Sequence, residues 1–421
     1  IRVVSSTAHS PAMRCVPMDL LQWRAFSPMN PTAADCPAWL ATLLHQSGGT
    51  VPFRQFMDWA LHHPEHGYYG SGRVRIGPQG DFATSPSLGP DFANLLGRQL
   101  IDLLRSLSDQ ASTLSLVEVG PGEGDLAADL LTVLSRQDPD LIERCELVLV
   151  ERSPSLRQRQ QQRLQGISGC PVRWCGIEEL QSSPVQGVVL AHELLDAFPV
   201  DRLVLHQGEL ALQGVRLEQN DQLTSTPLAL PDTLQEQLQT SGLELPPPGS
   251  EDGWTTEWHS SLWPWFGTLA SAVSDGALLV IDYAHEASRY YTARRSEGTL
   301  MAYRDGMAGM NPLAHAGEQD LTAHLCIETV TQAAAHHGWQ LRDQRRQGEA
   351  LLALGLANHL HALQQLPASE LAEAFRRREA LLRLVDPAAL GDFRWLLFSR
   401  GAGANRFSLA TGPDNAGSRP G

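Results

Sequence analysis

The chain has 421 residues, of which 42% are hydrophobic and 19% charged, a balance that describes a globular protein in water. A net charge of -15 argues against a life spent on nucleic acid or inserted in an anionic membrane, since both would repel it. All 32 basic residues are arginine, so no lysine is available for a Schiff base, a kinase-type ion pair or a phosphate-binding P-loop.

The length fits two or three ordinary domains or one domain with large insertions. No apolar run approaches a membrane-spanning helix. The cysteines at 15, 36, 145, 170, 175 and 326 lack Cys-x-x-Cys spacing and read as reduced thiols. Cys170 and Cys175 are close, but no His or Cys pair beside them suggests zinc, so no metal site is expected. Residues 1–35 are rich in Ser, Pro and Ala and are expected to be disordered. They read as an untidy translation start with Met18 or Met29 as the true beginning. A transit peptide is the competing reading, disfavoured by only three arginines before residue 30.

Residues 36–66 carry Trp39, Leu40, Leu43, Leu44, Phe53, Phe56, Met57, Ala60 and Leu61 at helical spacing and predict helix. Segments 63–70 and 77–86 are turn-rich and polar, the texture of chain that lines a site. A helix is predicted over 90–107. Then comes the stretch that organises the chain, Leu114-Ser-Leu-Val-Glu-Val-Gly-Pro-Gly-Glu-Gly-Asp, read as a buried strand, a glycine turn and the start of an amphipathic helix.

The glycines of that turn stand at Gly120, Gly122 and Gly124, whereas a dinucleotide fingerprint would need one where Asp125 stands. Glu118 sits inside the strand, where a hydrophobe is the usual choice, and can face a cationic ligand. Glu123 and Asp125 would repel a pyrophosphate at the helix start but tolerate S-adenosylmethionine, a sulfonium without one. A second apolar strand ends in Glu151, which can accept the ribose hydroxyls.

A helix over 154–165, a short strand at 172–174 and an apolar strand at 187–191 continue the alternation. It predicts an α/β fold with a parallel, doubly wound sheet. From 202 to 226 the period changes to two, with turns at Gly208 and Asn220-Asp221. This marks inserted antiparallel strands, which would also serve as a homodimer arm. Trp254, Trp258, Trp263 and Trp265 read as packing residues. The sheet resumes at 276–283, followed by a Gly- and Met-rich loop over 296–317, a helix over 320–337 and strands near 339–347 and 393–400. Arg376-Arg-Arg378 reads as a solvated helix face. The expected boundaries are a helical and lid segment at 36–110, a core at 111–200 and 273–402, an insertion at 201–272, and a disordered tail at 403–421.

At the end of the fourth core strand stands Ala191-His-Glu-Leu-Leu-Asp-Ala-Phe-Pro-Val200, where ligands bind in such sheets. Glu193 and Asp196 are three apart and share a face on one helical turn. Two carboxylates can hold a guanidinium and aim one nitrogen at a methyl donor, with a carboxylate or His192 removing the proton. The plainer alternative is that Glu193 caps a helix and Asp196 makes a turn.

Six ordered segments resemble the MidA family between about 36 and 402: Gly80-Asp-Phe-Ala-Thr-Ser-Pro86, Val117-Glu-Val-Gly-Pro-Gly-Glu-Gly124, Glu193-Leu-Leu-Asp-Ala-Phe-Pro-Val200, Ile281-Asp-Tyr283, Gly298-Thr-Leu-Met-Ala-Tyr303 and Gly317-Glu-Gln-Asp-Leu-Thr-Ala-His324. The resemblance implies a Rossmann-like, seven-stranded class I methyltransferase sheet with S-adenosyl-L-methionine as cofactor. It also implies a protein arginine N-methyltransferase, since mitochondrial members methylate an arginine of a complex I subunit during assembly. The protein partner would then be an NADH dehydrogenase subunit.

Carried over residue by residue, the cofactor turn falls on Glu118, Gly120, Gly122 and Gly124, the ribose acid on Glu151, and the catalytic loop on Glu193 and Asp196. The segment holding Gly80, Asp81, Thr84 and Ser85 would close over the cofactor. The family usually shows Asn at His192, Glu at Ser87 and a His near Arg304, departures that bear on the substrate more than on the cofactor. The alternatives are a small-molecule methyltransferase of the same fold and a non-catalytic cofactor-binding assembly factor. The expected location is the cytoplasm, or the mitochondrial matrix in a eukaryote.

Overall fold

The computed structural model describes residues 33–74, 84–107, 113–167, 169–309, 311–402 and 404–411. Its centre is a seven-stranded sheet of β1 (Leu114–Val119), β2 (Cys145–Val150), β3 (Val172–Cys175), β4 (Val185–His192), β5 (Val273–Asp282), β6 (Gln340–Arg346) and β7 (Arg394–Arg400). The order across the sheet is β6-β7-β5-β4-β1-β2-β3. Strand β7 runs antiparallel to both neighbours, while β5, β4, β1, β2 and β3 pair in parallel.

Apolar runs build these strands because both faces are covered. Leu116, Leu190 and Ile281 point into a core shared with the helices Pro90–Arg105 and Asp125–Gln137. Val117, Val189 and Val280 alternate to the other face, against the helices Leu262–Ala272 and Ile327–His336. The chain runs outward from β1 through β2 and β3, then returns to lay β4 on the opposite side of β1. That reversal opens a crevice past the carboxyl ends of β1 and β4, the ends that carry the glycine turn and the acidic loop.

A second sheet is antiparallel throughout. Strands Asp201–His206, Glu209–Leu217 and Gln222–Leu228 come from the inserted region, as the period-two pattern predicts, and Thr255–Trp258, outside that pattern, pairs with Asp201–His206. Two short strands from the N-terminal segment join it: Ala34–Asp35 pairs with Gln222–Leu228 and Thr50–Pro52 with Glu209–Leu217. The continuous helix expected over 36–66 is therefore two helices, Ala38–Gln46 and Phe53–His62. Gly48 and Gly49, both at φ 82°, stop the first. Trp254 and Trp258 are buried in the core beneath this sheet.

Other expectations change for reasons of tertiary pairing. The helix predicted over 320–337 begins only at Ile327, because Asp320–Thr322 is taken up as a strand against Met301–Arg304. Arg377 departs from the solvated arginine run: it forms a two-pronged ion pair with buried Asp91, at 2.6 and 2.8 Å. The disorder expected from 33 to 35 fails because Ala34 and Asp35 are paired, and that expected after 403 fails as far as 411. There Leu409 is 1% exposed and the Ala410 amide donates to Gln99 Oε1 at 2.7 Å. The remaining residues of those two expectations lie outside the described ones.

Candidate active site

At the end of β1 the chain turns through Gly120, Gly122 and Gly124, at φ 69°, 54° and 84°. L-residues with a Cβ avoid this region, which is why three glycines stand there. A Cβ on Gly120 would also lie 2.6 Å from Leu194 Cδ1, so the turn and the acidic loop touch at this point. Glu118, 4% exposed, has no hydrogen-bond partner for Oε2 among the described residues. Burial, helped by the Asp125 charge, raises its carboxyl to about 8. A buried carboxyl with an orphaned oxygen beside a glycine turn fits a cationic ligand better than a phosphate. The turn's outer acids are already answered, Glu123 by Arg159 at 3.0 Å and Asp125 by Arg163 at 2.5 Å.

Glu151 stands one residue beyond β2. Its Oε1 accepts the Ser153 amide at 2.8 Å and its Oε2 accepts from Gln160 Nε2 at 3.1 Å. A carboxylate has about four acceptor sites, so both oxygens keep capacity for hydroxyl donors. Gln160 has a second bond to the Gly122 carbonyl at 2.8 Å, while its own oxygen accepts the Trp174 indole at 3.1 Å. This fully buried glutamine thus ties the turn to the acid after β2. Nothing in the run Arg157-Gln-Arg-Gln160-Gln-Gln162 sets it apart as a sequence.

Past β4, Glu193 adopts φ 47°, uncommon for a residue with a side chain, and its amide donates to the Ile281 carbonyl at 2.9 Å. The next three amides, of Leu194, Leu195 and Asp196, all donate to Asp282 Oδ2, at 3.2, 2.9 and 3.3 Å. Asp282, at the end of β5, therefore clamps the acidic loop. The signal for it was the one that marked Glu151, an acid ending an apolar strand, but the sequence reading assigned it no role.

Glu193 Oε1 accepts the Ser85 amide at 3.0 Å, so the segment that carries Thr84 and Ser85 reaches the acidic loop. Thr84 is held by Ser87, whose hydroxyl accepts the Thr84 amide at 3.0 Å and donates to its carbonyl at 2.7 Å. Gly80 and Asp81 lie outside the described residues.

Desolvation lifts Glu193 to about 8, partly opposed by the Ser85 bonds. Burial, then the charges of Asp282, Asp320 and Glu193, pushes Asp196 well above the carboxylate range. Asp282 is raised to about 7 by burial against its amide donors. Among the described residues no arginine forms an ion pair with Glu193, Asp196 or Asp282. His192 packs on the Phe92 ring and lies 3.5 Å from Glu193 Oε1 without forming a hydrogen bond through Nε2. Burial holds it neutral, with its pKa pushed down to about 3.

The remaining wall is aromatic. Tyr283 stacks on His324 at 5.4 Å and meets Phe393 edge-on at 4.0 Å. Tyr69 donates to Asp320 at 2.9 Å. The crevice thus sets buried acids and tyrosines beside a turn suited to a sulfonium nucleoside.

Comparison with known proteins agrees with this geometry. The profile of the family described as "Putative S-adenosyl-L-methionine-dependent methyltransferase" matches residues 95–344. A Drosophila melanogaster protein named protein arginine methyltransferase NDUFAF7 homolog, mitochondrial, is 30% identical over 388 residues, 83% of this chain and 82% of that protein. Its Bos taurus counterpart, protein arginine methyltransferase NDUFAF7, mitochondrial, is 29% identical over 319 residues, 67% of this chain and 68% of that one. A COG1565 superfamily member from Burkholderia thailandensis, crystallised with S-adenosyl-homocysteine, superposes with a TM-score of 0.76 at 27% identity, covering 90% of this chain and 95% of that one. The chain belongs to this family of S-adenosylmethionine-dependent methyltransferases.

Proposed function

We propose that the enzyme methylates a guanidino nitrogen of arginine in a protein partner, with Glu193 and Asp196 holding the guanidinium. The observation that carries this reading is the pair of acids past β4, Asp196 buried and Glu193 nearly so, with buried Asp282 beside them, uncompensated by arginine among the described residues and in contact with the glycine turn through Leu194 and Gly120. Desolvated like-charged acids are unfavourable unless a cation completes them. A planar guanidinium matches paired carboxylates through charge-assisted bonds.

In this reading Glu118, Gly120, Gly122, Gly124 and Glu151 hold the cofactor, and Thr84 and Ser85 close the crevice, with Gly80 and Asp81 as further lid residues. S-adenosylmethionine, bound there, supplies an electrophilic methyl group. Glu193 and Asp196 orient the guanidinium so that one nitrogen faces the glycine turn. Glu193, with a carboxyl near 8, takes the proton that this nitrogen sheds. His192 is a weaker base, since its environment disfavours the imidazolium.

The relatives' names support a protein arginine as acceptor, and the resemblance of the motifs supports a subunit of a complex I-like NADH dehydrogenase. The word mitochondrial in those names supports the matrix as the place of work in a eukaryotic host, and the cytoplasm would be its counterpart in a bacterium. No helix among the described residues is long and apolar enough to cross a membrane.

The test is transfer of label from radioactive S-adenosylmethionine into an extract of cells lacking the protein, followed by acid hydrolysis of the labelled material. Methylarginine in one protein band, lost with Glu193→Ala, is expected. Label confined to small molecules would overturn the protein substrate, and label in another amino acid would overturn the arginine.

A further inference from the structure

Gln347 opens the helix Gln347–Ala353 straight after β6 and is fully buried, although nothing in the run Arg345-Arg-Gln-Gly348 marks it as a sequence. Its side-chain nitrogen donates to the carbonyls of Leu390 at 3.0 Å and Leu384 at 3.2 Å, and to Ser85 Oγ at 3.4 Å. Its oxygen accepts the Trp395 indole at 3.3 Å. Two carbonyls at one end of the amide and an indole N–H at the other leave it a single orientation, with N–H groups toward Ser85.

Ser85 is itself fully buried, and its amide donates to Glu193 Oε1 at 3.0 Å. A hydroxyl that accepts from an amide directs its own proton elsewhere. Here Glu193 receives it: the backbone and side-chain bonds of Ser85 both pull the Glu193 carboxyl down against the rise that burial imposes.

We infer that Gln347 is a positioning residue for methyl transfer, acting through Ser85: it fixes the Ser85 amide and hydroxyl against Glu193 and so holds that carboxyl in place and in its charged form. The inference rests on the reading of Glu193 as proton acceptor above. Without Gln347 the Leu384 and Leu390 carbonyls lose their donor and compete for the Ser85 hydroxyl. Glu193 then loses a bond that favours its charged form.

The experiment follows initial rates of label transfer from saturating radioactive S-adenosylmethionine into an extract of cells lacking the protein, between pH ~6.5 and ~10, for the full chain and its variants. The wild-type rate should rise with pH and reach half its maximum at about 8. Gln347→Met keeps the volume and removes the bonds. It should move that midpoint up to about 9, with a fitted maximum within about threefold of wild type. A purely structural defect would instead lower the rate by one factor at every pH and leave the midpoint where it was.

A midpoint unmoved by Gln347→Met, with the rate lost in Glu193→Gln, would overturn this inference and leave the Glu193 reading standing. Wild-type turnover in Glu193→Gln would overturn both. If Gln347→Met does not fold, Ser85→Ala decides, since it removes the hydroxyl that Gln347 holds and keeps the amide. A raised midpoint there upholds the link from Gln347 to Glu193, and an unmoved one overturns it.

Discussion

Asp282 Oδ2 accepts the Leu195 amide at 2.9 Å, joining the end of β5 to the acidic loop that follows β4. With the Leu194 and Asp196 amides on the same oxygen, the shape of the loop depends on a carboxylate from another strand. Asp282→Ala would take the acceptor from the amides of Leu194, Leu195, Asp196 and Tyr283. It is expected to lower unfolding stability by about 3 kcal/mol or more, read from urea denaturation. Asp282→Asn, which keeps an acceptor oxygen, should recover most of that stability, and equal losses in both variants would contradict the clamp.

Glu193 is the residue on which catalysis should depend most. Glu193→Gln keeps the size and can still accept the Ser85 amide, but it carries no charge and is a poor proton acceptor. Methyl transfer is expected to fall by about 10²–10⁴-fold with S-adenosyl-homocysteine affinity nearly unchanged. A variant with wild-type turnover would remove Glu193 from the mechanism.

Gln160 bonds Gly122, Glu151 and Trp174 at once. Gln160→Leu preserves bulk and removes the bonds, so cofactor affinity measured by calorimetry should fall by about tenfold. The loss should appear in KM for the cofactor more than in kcat, and a change confined to kcat would argue against this positioning role.

Glu118 and Glu193 both sit near 8 through burial. A carboxyl raised in the folded state holds a proton that the unfolded chain has already released. Its stabilising contribution is therefore full below about 4.5 and lost as pH rises to about 8. Buried histidines such as His192, held at about 3, act in the opposite sense, but only below the ordinary imidazole value of 6.5. Between pH ~7 and ~8 the carboxyls act alone, so the melting temperature of the ligand-free chain should fall across that window. The fall should be smaller in Glu118→Gln, and an unchanged slope would exclude Glu118 as its source.

Binding of a guanidinium should respond to the same titration with the opposite sign. A cation needs Glu193 as the carboxylate, so affinity for the peptide Gly-Gly-Arg-Gly-Gly is expected to rise with pH up to about 8 and then level off. A pH-independent affinity would show that the carboxyl does not meet the acceptor.

How much of this was legible in the residues follows from the range over which each signal acts. The strand ending at Val119, the glycines at 120, 122 and 124, and the acids Glu151 and Glu193 are local patterns: apolar runs, positive-φ turns and strand-end carboxylates. Local patterns dictate local structure, so the doubly wound sheet and the glycine turn are legible in the residues themselves.

Contacts between distant segments could not be read in this way, because no local pattern records a partner hundreds of residues away. Thr50–Pro52 becomes a strand only against Glu209–Leu217, and Arg377 is held to the surface of the fold by its ion pair with buried Asp91. Asp320 sits in a segment whose local pattern reads as helix, and lies on a strand only because that segment pairs with Met301–Arg304, where Tyr69 donates to its carboxylate. The sequence by itself determined the sheet, the turn and the two acids of one loop. Tertiary structure alone decided which other carboxylates face them and what clamps them in place, because desolvation and like-charge coupling arise only when separate strands are packed together.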